Sequence, residues 1–182
     1  MIYEIVVDAG ETANKCTIAP LATRSDFRLY RVRGEGHLGP LSAPILLHHE
    51  GQCLSELRFA LPKVSALASI DCVWRRLPKL LKRVKWVDEK TPVLVKIPRG
   101  FQTAYPRVGT AATDPDGGLA TIEALFIAAA LFGNFDTSLL SKYYFARLFL
   151  ERNLERFLEL GVGEAEKLDV FPPRPHVNRN AH

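Results

Sequence analysis

A short stretch near the middle of the chain, "LASIDCVW" (67–74), places an acid, a thiol and an indole at the end of an apolar run. Such a run is typical of a strand buried on both faces. Open α/β sheets bind ligands beyond the carboxyl ends of their strands, so Asp71 and Trp74 are candidates for a functional site. In the alternative, structural interpretation, Asp71 caps the following helix and Trp74 fills the core. The side chain of Cys72 should point away from that of Asp71, into the core.

The segment that follows, "RRLPKLLKRVK" (75–85), is predicted to be an amphipathic helix with its leucines and Val84 on one face. Basic residues fill most of the other face: Arg75, Arg76, Lys79, Lys82, Arg83 and Lys85. The formal charge of the chain is only +4, so the local concentration of charge, rather than the total, favours a polyanion such as RNA. Alternatively, this face is only a solvated helix surface.

Two further segments contain residue types suited to a small ligand. In "KCTIAPL" (15–21), Thr17 offers a hydroxyl and nearby backbone donors to a carboxylate, or else it caps a helix. The loop "QTAYPR" (102–107) shortly precedes "GGLATIEA" (117–124), and a loop leading into a helix N-terminus suits binding by backbone groups. Neither the GxGxxG pattern of dinucleotide folds nor the GxxxxGK[ST] phosphate loop occurs there.

The sequence gives little support for a metal site or for a catalytic serine nucleophile. His48, His49 and Cys53 lie close together in the sequence, but no second pair of ligands completes a tetrahedral site. Adjacent strand residues point to opposite faces, which should separate the two imidazoles. No metal is therefore predicted. No G-x-S-x-G elbow supports a serine hydrolase, and three widely spaced cysteines argue against a disulfide framework.

The elements that must position these residues follow from the hydrophobic pattern. Short apolar or alternating runs predict five strands, at residues 2–9, 27–33, 44–49, 67–74 and 92–97. The connections between them are long enough for crossovers, which favours a mostly parallel α/β sheet. The fold class predicted for the N-terminal half is therefore α/β.

The C-terminal half is predicted to be all-helical. Residues 121–133 form an Ala-rich, buried helix with Thr121 as its N-cap and Glu123 in its first turn, where the helix dipole favours an anion. Residues 137–160 form one long amphipathic helix that ends at Gly161. The predicted domains are an α/β domain at 1–97, a helical domain at 98–168 and a Pro-rich tail at 169–182.

The cellular setting is expected to be the cytoplasm. The N-terminus lacks the basic n-region and the cleavage site of a signal peptide. The apolar stretch around residues 119–132 is interrupted by Thr121 and Glu123 and is too short to span a bilayer. No membrane partner is predicted.

Four short stretches occur in the same order as in a known family: "KCT" after the first strand, "SIDCVW" at the fourth, "TAYP" after the fifth and "LATIEALFIAAAL" in the helical half. The chain resembles the aminocarboxypropyltransferases that modify small-subunit ribosomal RNA in eukaryotes and archaea, whose stretches read D-P-K-K-C-T, D-C-S-W, A-A-N-P and L-S-T-A-E-A. The related DTW-domain enzymes, which act on tRNA uridines, share the Asp-x-x-Trp and Thr-x-Glu-Ala elements.

The resemblance implies a SPOUT-like fold with a deep trefoil knot and S-adenosylmethionine as the cofactor. It implies transfer of the 3-amino-3-carboxypropyl group to N3 of a uridine or pseudouridine, in ribosomal RNA in the first place and in tRNA as the other acceptor. Methylthioadenosine would be the by-product, ribosome biogenesis the setting and a monomer the working form. The alternatives left open are methyl transfer by the same fold and a non-catalytic RNA-binding assembly factor.

Site residues also follow from the resemblance. Thr17 and Thr121 would hold the amino acid end of the cofactor, and Trp74 would pack against its aminocarboxypropyl chain. Asp71 would lie nearest the acceptor base or the cofactor's ammonium and help to remove the N3 proton. Other residues would line the adenine: Ala104, Tyr105, Pro106 and Leu119. The expected RNA contacts are Arg75, Arg76, Lys79, Lys82 and Arg83.

The chain also departs from the family pattern. "TAYP" replaces Ala-Ala-Asn-Pro, a longer loop, "RVGTAATDPDGG", precedes the helix, and Val73 replaces a small hydroxyl residue. These differences concern the acceptor side of the site more than the cofactor side.

Overall fold

A computed structural model describes residues 1–10, 16–32, 34–61, 63–106 and 118–162. The long loop at 107–117, the predicted tail at 169–182 and the end of the predicted helical domain lie outside the described residues. The described strands are β1 Ile2–Val7, β2 Phe27–Arg31, β3 Leu38–Leu41, β4 Ile45–Cys53, β5 Ala66–Asp71, β6 Val84–Trp86 and β7 Val93–Lys96. The α-helices are α1 Leu54–Leu57, α2 Leu77–Leu81, α3 Thr121–Leu131 and α4 Ala146–Glu159.

The main sheet has five strands in the order β2-β1-β5-β4-β7, and every described pairing in it is parallel. These strands are the five that the apolar runs predict, so the predicted α/β class of the N-terminal half is confirmed. β5 lies in the middle of the sheet, beside β1, and the register pairs Val7 with Asp71. The carboxyl ends of β1 and β5 therefore lie next to each other.

Two strands were missed, and one of them corrects a predicted helix. β3 and β6 form a separate parallel pair in which Leu38 is opposite Val84. The predicted helix at 75–85 is instead a 3-10 turn, Trp74–Arg76, followed by the short α2 and then β6. The stretch "RVKW" alternates basic and apolar residues, which suits a strand as well as a helix face. Pairing with β3 selects the strand.

The C-terminal half contains no strand among its described residues, as predicted, but the long helix at 137–160 is interrupted. A 3-10 helix, Thr137–Leu140, is capped by Asp136, whose carboxylate accepts from the Ser138 N–H at 3.0 Å, and α4 begins only at Ala146. The predicted end at Gly161 is confirmed: its φ is +76°, and the Val162 N–H donates to the Phe157 carbonyl at 2.9 Å. This is the Schellman arrangement, for which glycine is best suited.

The core has two parts, one on each face of the main sheet. The larger packs the buried α3 and the apolar face of α4 against side chains of β1 and β5 such as Tyr3, Ile5 and Leu67. The smaller lies under α2 and includes Val6, Ala68 and Leu80. Because the larger cluster joins both halves of the chain, it holds α3 against the carboxyl end of β5. The division into independent domains stays a prediction.

Candidate active site

Asp71, the last residue of β5, receives two hydrogen bonds from different parts of the chain. Its side chain is 7% exposed. The Cys16 thiol donates to Oδ2 at 3.0 Å, and the Thr121 hydroxyl donates to Oδ1 at 2.7 Å. The carboxylate thus connects the end of the central strand to the loop after β1 and to the first turn of α3.

Thr17 completes this cluster. Its hydroxyl accepts from the Ile122 N–H at 3.4 Å, so it satisfies one of the free N–H groups at the start of α3. Thr17, Asp71 and Thr121 therefore lie together, although Thr17 and Ile122 are 105 residues apart in the chain. The helix-cap interpretation of Thr17 is wrong for its own segment, because the short helix Ala19–Leu21 has Ile18 as its N-cap and no side-chain cap bond. The Thr17 hydroxyl instead accepts from the first turn of the distant α3.

Three sequence-based interpretations of these side chains are wrong. Thr121 is not the N-cap of α3. That position is Ala120, so the Thr121 hydroxyl points to Asp71 instead. Asp71 does not cap the helix after β5, where Val73 is the N-cap and no side chain supplies a cap bond. Trp74 does not fill the core, because it is partly exposed. Cys72 packs against the smaller apolar cluster, on the face predicted for it.

Cys16 was missed as a site residue, although it adjoins Thr17 in the "KCT" stretch. It is buried, and burial together with the neighbouring Asp71 charge and hydrogen bond raises the pKa of its thiol from 9.0 to about 12. The sulfur is therefore protonated at neutral pH and acts as a hydrogen-bond donor. It is not a nucleophile.

We expect Cys16 to resist alkylation in the folded protein. Because burial raises the pKa of this thiol from 9.0 to about 12, its thiolate fraction at pH 8 is about a thousandfold lower than that of an ordinary cysteine. Iodoacetamide labelling followed by peptide mass spectrometry measures the rate, with the partly exposed Cys53 as the internal reference and denatured protein as the positive control. Equal rates for Cys16 in the folded and denatured chain would contradict this arrangement.

A second buried carboxylate, Glu123 in the first turn of α3, organises the neighbouring loop. Its Oε1 accepts from the Ala104 N–H at 2.8 Å and from the Tyr143 hydroxyl at 2.7 Å. Its Oε2 accepts from the Thr103 hydroxyl at 2.6 Å and the Ala120 N–H at 2.8 Å. Glu123 is fully buried. Its position in the first turn of a helix was predicted from the sequence, but its contacts with the loop were not.

Helix α4 holds the same loop from its other side. The Asn153 side chain accepts from the Gln102 N–H at 2.7 Å and donates to the Gln102 carbonyl at 2.8 Å. Arg152 donates to the Thr103 carbonyl at 2.9 Å. Since Asn153 and Glu123 are both fully buried, the backbone from Gln102 to Ala104 is held by groups shielded from water.

The residues predicted to line an adenine are in this region. Ala104 is buried, while Tyr105 and Leu119 are half-buried and Pro106 is exposed. The Tyr105 ring lies edge-on to Phe145, with centroids 6.1 Å apart. Residues 107–117, between Pro106 and Leu119, lie outside the described residues. Ala104 and Tyr105 form a partly apolar surface next to the first turn of α3, where Glu123 accepts from the Ala104 N–H.

Trp74 lies beside a histidine pair that the sequence analysis placed wrongly. The rings of His48 and His49 stack with centroids 4.6 Å apart, and Trp74 meets His49 edge-on at 5.3 Å. The prediction of opposite faces fails because the pairing of β4 with β7 shifts register between Leu47 and Gln52. Within the described residues, no three His, Cys, Asp or Glu side chains are grouped to hold a metal ion.

Another carboxylate missed by the sequence analysis, Asp8, follows β1. Its N–H donates to the Asp71 carbonyl at 2.9 Å, and its Oδ2 pairs with Arg76 Nη1 at 2.9 Å. The position directly after a central strand was the available signal. Gly10 leaves room for this pair, because a Cβ there would lie 3.1 Å from Arg76 Nη1.

The predicted RNA-binding residues divide into two groups. Arg75, Lys79 and Lys82 are exposed on and around α2. Arg76 pairs with Asp8, and Arg83 lies after α2 rather than on it, where it donates to the Gly34 and Gly36 carbonyls. The exposed group offers cations to a partner, whereas Arg76 and Arg83 already bind within the protein. Their contact with RNA stays a prediction.

No helix among the described residues has the length and apolar character needed to cross a membrane.

Comparisons with known proteins bear on the fold. No family model and no curated protein sequence matches the chain. A solved structure does: the SAM-dependent rRNA:acp-transferase Tsr3 from Vulcanisaeta distributa, with 21% identity and a TM-score of 0.61 over 92% of this chain and 87% of that one. The chain therefore has the fold of that transferase, as the resemblance predicted, with a parallel α/β half followed by a helical half.

Proposed function

We propose that this protein transfers the 3-amino-3-carboxypropyl group of S-adenosylmethionine to N3 of a uridine or pseudouridine in small-subunit ribosomal RNA. The observation that carries the proposal is the meeting of Thr17, Asp71 and Thr121 at the carboxyl end of β5. These residues belong to the "KCT", "SIDCVW" and "LATIEA" stretches, and the chain has the fold of a SAM-dependent rRNA:acp-transferase.

The chemistry of the side chains present fits this cofactor. The Thr17 hydroxyl accepts from the Ile122 N–H and can donate its hydrogen to a carboxylate beside the first turn of α3, where helix N-termini favour anions. The Thr121 hydroxyl already donates to Asp71, so its oxygen can accept from the ammonium group of the cofactor. The surface formed by Ala104 and Tyr105 suits a flat heterocycle, and Trp74 offers an apolar surface to a short carbon chain. The bound cofactor supplies a sulfonium that activates the adjoining methylene carbon.

The task of the protein is then positioning and proton removal. Two donors already bind the Asp71 carboxylate, one at each oxygen. A carboxylate has about four lone-pair positions, so an acceptor N3–H can still donate to it. In the proposed mechanism, Asp71 Oδ1 or Oδ2 takes the N3 proton as the nitrogen is alkylated. The thiol and hydroxyl bonds fix the orientation of that carboxylate.

The proposal includes the remaining expectations from the resemblance. These are the trefoil knot, a monomeric working form and a cytoplasmic setting, with tRNA as the other possible acceptor. The exposed cations Arg75, Lys79 and Lys82 would hold the RNA backbone through its phosphates.

A double-label experiment tests the proposal. Purified protein is incubated with RNA from cells lacking the gene and with S-adenosylmethionine labelled either on the methyl carbon or on the carboxyl carbon. We expect only the carboxyl label to enter RNA, in the small-subunit ribosomal RNA fraction. Methyl label in RNA would mean methylation, and no transfer together with no cofactor binding would mean a non-catalytic RNA-binding factor. Either result would overturn the proposal.

A further inference from the structure

A surface patch beside the proposed site consists of His48, His49 and Trp74, and we call it the aromatic platform. The two imidazoles stack at 4.6 Å, and the indole lies edge-on to His49 at 5.3 Å. The platform is open to solvent: the His49 side chain is 39% exposed, and the adjoining Val73 is 47% exposed. None of these rings is needed to hold the core.

The platform is adjacent to the proposed acceptor position. Trp74 comes three residues after Asp71, and the histidines are on β4, which pairs directly with β5. The register shift in β4 brings both imidazoles to the same side. A ligand group on these rings would therefore adjoin whatever Asp71 contacts.

The side chains of the platform favour a ligand with a flat, uncharged ring. Burial, and then the neighbouring His49, lowers the pKa of His48, so its imidazole is neutral at pH 7. The charges nearby are Glu50, whose carboxylate lies 3.8 Å from His49 Nε2, and the exposed Arg75, which follows Trp74 in the sequence. Nucleobases stack on histidine and tryptophan rings, and arginine and lysine hold the phosphates between them.

We propose that the stacked imidazoles of the aromatic platform, which Trp74 meets edge-on, bind an unpaired base next to the acceptor uridine, with Arg75, Lys79 and Lys82 holding the adjoining backbone. This inference rests on the proposed function, because it takes RNA as the acceptor. Such a platform reads single-stranded RNA with little sequence preference, since every base has a π-face. The acceptor uridine is then presented from a loop or another unpaired region.

The test separates base stacking from phosphate binding. A fluorescent twelve-nucleotide oligouridylate and an abasic strand of the same length are titrated with protein at one salt concentration. We expect the wild-type protein to bind the oligouridylate at least about fivefold more tightly, given the usual stacking contribution of a base. His48→Ala/His49→Ala should lose this preference and bind both strands alike. His49→Phe, which keeps a ring, should retain it.

Two controls accompany these variants. Phe59→Ala removes an aromatic ring that is 79% exposed but outside the platform, so the preference should be unchanged. Charge reversal of Arg75, Lys79 and Lys82 should weaken binding of both strands equally, because both carry the same phosphates. Thermal melting and S-adenosylmethionine affinity confirm that each variant is folded.

The outcomes are distinct. Equal wild-type affinity for the two strands, or an unchanged preference in the double variant, would overturn the platform and leave the proposed reaction standing. A base preference without label transfer in the earlier experiment would support the platform while removing the proposed reaction. Failure to bind either strand would overturn the platform, and the proposed reaction would still be decided by the label-transfer experiment.

Discussion

Asp71→Asn is expected to lower kcat for transfer by roughly 10²- to 10⁴-fold, the usual contribution of a general base. Asparagine has the same shape and can still accept the Thr121 hydroxyl bond made to Oδ1 at 2.7 Å. It cannot take a proton from the acceptor N3. The loss should therefore appear in kcat and not in the affinity for S-adenosylmethionine or in the melting temperature.

The pH dependence distinguishes proton removal from positioning. Without the carboxylate, the acceptor must ionise by itself, so the activity of Asp71→Asn should rise about tenfold per pH unit below the pKa of the acceptor. Wild-type activity should change less over the same range. Full activity of Asp71→Asn at every pH would show that the carboxylate has no role in proton removal.

A matched control accounts for the change in charge. Removing any negative charge strengthens binding to a polyanion, whatever its position. Asp88→Asn neutralises a carboxylate whose side chain is 69% exposed and which pairs only loosely with Lys90, at 3.5 Å. Its transfer rate should equal that of the wild type, so that any difference between the two variants belongs to the site.

Glu123→Gln is expected to cost about 1–3 kcal/mol of unfolding free energy, the range for leaving a buried hydrogen-bonding group unsatisfied. Each carboxylate oxygen of Glu123 accepts one hydroxyl bond and one backbone N–H bond. The amide NH₂ of glutamine would face two donors in place of one oxygen. The hydroxyls of Thr103 or Tyr143 can turn and accept, but the backbone N–H groups of Ala104 and Ala120 cannot. One buried N–H is then left unsatisfied. Urea unfolding monitored by circular dichroism measures the loss.

Glu123 should also affect the cofactor site, because it holds the Thr103–Ala104 backbone. Glu4→Gln is the matched control: Glu4 is likewise fully buried and accepts from the Ser42 and Ala43 N–H groups at 2.6 and 2.8 Å. Glu4→Gln should also lose stability, because Glu4 Oε1 pairs with Arg28 at 3.1 Å, but both backbone N–H groups donate to Oε2 and can keep an oxygen as acceptor. Under conditions where both are folded, only Glu123→Gln should bind S-adenosylmethionine more weakly. Equal cofactor affinity in the two variants would contradict the positioning of the loop by Glu123.

The sheet and the outline of the candidate site could be predicted from the sequence for identifiable reasons. Apolar runs mark the strands of the main sheet, because a parallel strand buried on both faces needs a continuous apolar sequence. The end of such a strand is where α/β proteins bind ligands, and this placed Asp71. Thr17 and Thr121 were found through the family resemblance, since neither has a local signal stronger than that of a helix cap.

Other features depend on contacts between distant segments. Val84 fits both an apolar helix face and a strand, and only pairing with β3 selects the strand. The stacking of His48 on His49 follows from a register shift in β4 that no periodicity marks. Glu123 occupies a favourable first-turn position in the sequence, but the four donors around it come from three separate segments.

Local pattern thus established the chemistry available at each position: an acid after a buried strand, hydroxyls near turns and a basic segment after the site. Tertiary structure established which of these groups meet. Hydrophobic periodicity records only which face of an element is buried, and that is a local property. A hydrogen bond such as Thr121 to Asp71, across 50 residues, exists only once the core has packed α3 against the end of β5.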